Sequence, residues 1–96
     1  QAIARAAAER RDLVVRLAAL SRTIGARGTS LGHARDVFAA STAAWSGGSL
    51  PLLELQSREL AWRRIESAWY GAICEYLVAR SDLDRISLTP TEGETP

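Results

Sequence analysis

Lysine and methionine are missing from this 96-residue chain, and cysteine and histidine occur once each. Each shortage excludes something. With Cys74 alone, no internal disulfide is possible. His33 and Cys74 stand singly in helical patterns, so neither a metal-ligand cluster nor a His–Cys dyad has a local signature. No apolar run reaches the roughly 18 residues of a membrane span, so this stretch is expected to hold no transmembrane helix. A one-sided basic surface is also lacking. The 12 basic residues, all arginine, are interspersed with 11 acidic ones, which argues against an electrostatic binder of nucleic acid or membrane surfaces. The opening QAIARAAAERRDLV carries no apolar core of a signal peptide and starts as if mid-helix, so a piece of a longer protein is expected.

What is present is alanine, leucine, arginine and glutamate in a repeating order. Ile3, Arg10, Leu17, Ile24, Leu31, Phe38 and Trp45 recur seven apart. Ala6, Leu13, Leu20, Arg27, Ala34 and Ser41 form a second row three residues later. The repeat passes through IGARGTSLG, where each interior glycine costs roughly 1 kcal/mol relative to alanine. Because the register continues, one long helix that bends or loosens there is expected. In the second half Leu55, Trp62, Trp69, Tyr76 and Leu83 fall seven apart, with Ile65, Ala72, Ala79 and Ile86 three residues after the last four. A 3.5-residue period is the mark of left-handed coiled-coil packing.

Between the two repeats lies AAWSGGSLPLLELQ, residues 43–56. Gly47 and Gly48 supply backbone freedom for a reversal, and Pro51 suits the start of a helix, where its missing N–H is not needed. Glu54 lies in that first turn, where the helix dipole favours a carboxylate. An all-α fold follows: an antiparallel coiled-coil hairpin over residues 1–87, turning at 46–50, with a disordered tail at 88–96 where prolines and a glycine end the periodicity. The longer arm spans about 65 Å if straight. Trp62, Trp69 and Tyr76 form a packing stripe that wants more neighbours than one helix offers. Self-association, or a place in a larger helical bundle, is therefore expected.

The order of W-S-G-G-S-L-P-L-L-E-L-Q (45–56) and E-Y-L-V-A-R-S-D-L-D-R (75–85), with no gap needed between them, resembles a known pattern. It is similar to the last helical hairpin of TolC-like outer-membrane efflux proteins, especially their heavy-metal (CzcC-like) branch. The resemblance spans roughly residues 1–88, and its specific part is 45–85. It implies a non-enzymatic homotrimer in the outer membrane whose long helices form a tunnel through the periplasm. It implies an adaptor-contact turn at Gly47, Gly48, Ser49 and Leu50, meeting a periplasmic membrane-fusion adaptor that is coupled to an inner-membrane pump. Glu54 matches a tip acid that narrows the pore, where a ring of carboxylates would attract cations. The family often has a second acid at the position of Ser57, so a double acidic ring is not implied here. No cofactor is implied, and the cargo is a metal ion or a small molecule.

Two other readings stay open. Trp45-Ser46-Gly47 is a W-x-G near the middle of a helix–turn–helix chain, which looks like the small WXG proteins of type VII secretion. Those usually carry a Tyr-x-x-x-Asp/Glu signal after the second helix, and no such spacing occurs near this end. A small helical enzyme would need convergent polar groups in the core register, where only Arg10, Arg27 and Arg58 fall. Taken alone, Gly-Gly-Ser is also common chemistry for a plain helix–helix turn.

Overall fold

A computed structural model describes residues 2–88. It holds two helices, α1 (Ala2–Ser46) and α2 (Leu52–Leu88), and no strand among the described residues. They lie antiparallel in a rod of 74 × 17 × 15 Å, which is a helical hairpin. The helix α1 runs without interruption through Gly25, Gly28 and Gly32, as the unbroken register requires. The turn occupies 47–51, shifted by one residue from the expected 46–50, because Ser46 still belongs to α1. The helix α2 continues to Leu88, one residue past the expected end, and the rest of the tail lies outside the described residues. Neither helix is long and apolar enough to cross a membrane.

The seam explains the two periods. Leu31, Leu55, Ala72 and Ala79 are its buried apolar members, and Ser41 is buried with them. Trp62, Trp69 and Tyr76 line the same face of α2, half-buried, together with Ile65, Leu83 and Ile86. On α1 the facing row runs through Leu13, Leu17, Leu20, Ile24, Leu31 and Phe38, and these are half-buried or buried. The row slips in the middle. Arg27, placed in register by sevens, is exposed, whereas Gly28 is half-buried. A straight α-helix drifts by about 20° per heptad against a strict 3.5-residue repeat, so the inward position moves along the chain. Trp69 makes use of that slip. A methyl group at Gly28 would stand 3.2 Å from Trp69 Nε1, so the glycine is the hollow that admits the indole.

One further contact ties the helices at this level. The Arg27 guanidinium donates from Nη1 to the Ala68 carbonyl at 2.9 Å. Nearer the turn, Phe38 and Trp62 stack with ring centroids 5.2 Å apart and planes 21° from parallel. Arg63 lies over the Trp62 ring as well, its Cζ 4.3 Å from the centroid. Such a cation–π contact contributes about 0.5–1 kcal/mol at an exposed site. Trp62 Nε1 is buried with no acceptor among the described residues, a cost of about 1–3 kcal/mol that the stacking, worth about 0.5–1.5 kcal/mol, offsets in part.

Candidate functional site

The turn caps the end of α1 through its own backbone. Gly48 takes a φ of +81°, the left-handed conformation that glycine enters without steric cost. It directs the Gly48 N–H to the Trp45 carbonyl at 3.0 Å and the Ser49 N–H to the Ala44 carbonyl at 2.9 Å. This pair of bonds is the Schellman arrangement, which satisfies carbonyls that a helix end leaves open. Gly47 N–H donates to the Ala43 carbonyl, and the Ser49 hydroxyl donates to Ala44 as well. Of the two glycines, only Gly48 needs the positive φ. The Pro51 carbonyl then accepts from the N–H groups of Glu54 and Leu55, both at 3.1 Å, and so starts α2.

The four turn residues expected to meet an adaptor therefore differ in exposure. Gly47, Gly48 and Ser49 are exposed, and Leu50 is half-buried. Around them large apolar side chains face solvent: Trp45 at 43%, Leu52 at 51% and Leu53 at 78%. None of the residues between Asp36 and Glu54 is charged.

Behind the turn, Glu54 is engaged. Arg58 Nη2 donates to Glu54 Oε1 at 3.1 Å, one helical turn away on α2. The same guanidinium reaches across the seam, where Nη1 donates to Ser41 Oγ at 2.8 Å. Ser41 Oγ in turn donates to the Val37 carbonyl at 2.7 Å, which satisfies the hydroxyl of a residue that is 1% exposed. Glu54 is thus half of a neutralised pair as well as a first-turn acid. Ser57 is exposed and makes no side-chain hydrogen bond among the described residues. The Arg58–Ser41 link is the element that sequence reasoning passed over. Its signal was the Glu54–Arg58 spacing of four, together with a serine in the apolar register.

A second surface lies along α2, facing away from α1. Ser67, Tyr70, Gly71, Cys74, Leu77, Val78 and Ser81 follow at helical spacings of three and four, and all are exposed. No charge interrupts this row over four turns, whereas the outward face of a two-helix rod is ordinarily charged. Tyr70 also leans on Trp69, with ring centroids 5.0 Å apart. Toward the end of α2 the Arg80 guanidinium is held above its ordinary pKa, first by the Tyr76 hydroxyl and then by Asp84. The three residues weighed for an enzyme do not converge: Arg10 and Arg27 are exposed, and Arg58 is committed to Glu54 and Ser41. Among the described residues no three His, Cys, Asp or Glu side chains gather where they could hold a metal ion. No family model, no curated protein and no solved structure matches the chain.

Proposed function

We propose that this chain is a periplasmic helical hairpin of a TolC-like outer-membrane efflux channel, of the heavy-metal (CzcC-like) kind, and that AAWSGGSLPLLELQ is its tip. One observation carries the reading: a long rod ends in a charge-free reversal, capped on its α1 side, that exposes Trp45, Leu52 and Leu53. A plain connecting turn has no need of such a surface, whereas a docking tip does. The uncharged outward row on α2 gives separate support, because it fits a helix flanked on both sides within a bundle.

On this proposal three copies complete a tunnel through which metal ions or small molecules leave the cell. Gly47, Gly48, Ser49 and Leu50 meet the membrane-fusion adaptor, which links the channel to the inner-membrane pump. The mechanism is a conduit with no covalent step, so the chain is no enzyme. Glu54 lines the narrow end, and its pairing with Arg58 leaves the ring less negative than three bare carboxylates. Widening the constriction does not require that pair to break, since both partners lie on α2.

A second reading is favoured by one feature, the position of Trp45-Ser46-Gly47 at the end of α1 and the start of the turn. A small WXG-type protein of type VII secretion, acting as a dimeric interaction module, would carry those residues there. Cell fractionation separates the two. The channel predicts that the full-length chain sediments with outer membranes and shows the native mass of a trimer. A small dimer in the culture medium would support the WXG reading and overturn the channel.

A further inference from the structure

Two interior glycines of α1 have no use inside the hairpin. Gly25 and Gly32 weaken the helix that contains them, and no atom lies within 4 Å of where a Cβ would stand at either. They stand seven residues apart, and Val14, Ala18, Ser21 and Ala39 share their side of α1 at helical spacing. This side is small and uncharged, and all of it is exposed except the half-buried Gly32. Gly28 shows what such a hollow does in this molecule, since it admits the Trp69 indole.

The uncharged outward row of α2 is the counterpart of that side. Tyr70, Leu77 and Val78 supply its bulk, with Ser67, Cys74 and Ser81 along the same row, and all six are exposed. Both surfaces lie at the same height on the rod. Across the seam Arg27 stands level with Ala68 and Gly28 with Trp69, so the stretch from Ala18 to Gly32 overlaps in height with the row from Ser67 to Ser81. Two hairpins side by side and pointing the same way therefore set the row of one against the small side of the next. Bulk then meets hollows, whereas row against row would leave Gly25 and Gly32 uncovered.

The charges beside this contact are complementary. At matched heights Arg35 comes beside Glu59, Asp36 beside Arg63 and Arg10 beside Asp84 of the neighbouring copy. Arg10, Arg35, Asp36 and Glu59 are exposed and form no ion pair among the described residues of their own hairpin. Arg11 falls near Arg85, a like charge, but Arg85 is held by Asp82 at 3.0 Å. We infer that the chain binds a second copy of itself in the same orientation, the Ser67–Ser81 row of α2 seated on the Gly25–Gly32 side of α1. The two surfaces differ, so the contact is heterologous and closes into a ring when repeated. The inference goes beyond the channel reading and does not rest on it, since both surfaces belong to this chain.

The test uses the 96-residue chain in sedimentation equilibrium over about a hundredfold range of concentration. Reversible assembly beyond a dimer is expected. Gly25→Leu places its side chain in open space within one hairpin but fills the hollow between two, so it should weaken association by about tenfold or more. Circular dichroism checks that its helices remain. Arg35→Glu and Glu59→Arg should each weaken association by about threefold, and the two together in one chain should restore it. Under mild oxidation with copper phenanthroline, the thiol introduced by Gly25→Cys should form a disulfide with Cys74 of the next copy, giving products larger than a dimer. The unaltered chain should stay uncrosslinked. A disulfide dimer of the unaltered chain overturns the inference, because it sets row against row. A monomer at every concentration overturns it too, as does association that Gly25→Leu leaves unchanged. None of these results decides the channel reading, which cell fractionation tests separately.

Discussion

The two helices share one seam but bring different side chains to it. The helix α2 supplies bulk: Trp62, Trp69 and Tyr76 point at α1 from positions seven apart. The helix α1 answers with a row of leucines, Ile24 and Phe38, and with a hollow and a short side chain at two points, Gly28 under Trp69 and Ser41 under Arg58. Their charges differ in the same sense. Four ion pairs form on α2, each between residues one turn apart, while none of the seven arginines of α1 has a carboxylate partner among the described residues. The helix α2 therefore has local ion-pair support that α1 lacks, and both depend on the seam. Isolated helices gain only a few tenths of a kcal/mol from each such pair, so packing carries the difference.

That asymmetry can be broken at several points. The largest effect is expected at the aromatic stack. Trp62→Ala should destabilise the hairpin by about 3 kcal/mol in chemical denaturation, near the low end for such truncations because Trp62 is only half-buried. A cycle with Phe38→Ala should show coupling of about 1 kcal/mol, and additive losses would mean that the two rings do not act as a pair. Next comes Arg58→Ala, which removes the link to Ser41 and leaves a buried hydroxyl with one partner fewer. A loss of about 1–2 kcal/mol is expected, and Arg80→Ala, whose ion pair lies in solvent, should lose distinctly less.

The glycines of α1 sharpen the same contrast. Nothing lies within 4 Å of where a Cβ would stand at Gly25 or Gly32, so Gly25→Ala and Gly32→Ala should each raise stability by up to about 1 kcal/mol. Gly28→Ala should gain clearly less, or lose, because its methyl group meets the Trp69 indole at 3.2 Å. Equal thermal shifts for all three would show that Gly28 is not a hollow. The smallest effect belongs to the surface ion pairs of α2, of which Arg85–Asp82 is an example. Asp82→Asn should change stability by less than about 0.5 kcal/mol, and less still in high salt.

The unequal roles also explain how much could be read beforehand. The aromatic repeat of α2 is so regular that helix, face and partner follow from spacing alone, and every member of it lines the seam. Uninterrupted register carried α1 across three glycines for the same reason. Its details were less legible because small residues pack on either side of a register line with little cost. Arg27 and Gly28 exchange roles by one position, and Ile3 and Trp45, both in register, end up exposed where the seam runs out. At the turn, Gly and Pro announced a reversal, but the use of Gly48 rather than Gly47 for the positive φ depends on how the last carbonyls of α1 are capped. The Arg58 bridge to Ser41 needed the third dimension, since the two residues lie 17 apart in sequence and meet only across the hairpin.

The central proposal, that the charge-free turn is a docking tip, is tested most directly by placing a photo-crosslinking amino acid at Ser49 of the full-length chain in cells that carry the adaptor. A crosslinked product with the adaptor from Ser49, and none from the same probe at exposed Val15, far from the turn on α1, is the predicted result. Crosslinking to the adaptor from Val15 but not from Ser49, or from neither position, would contradict it.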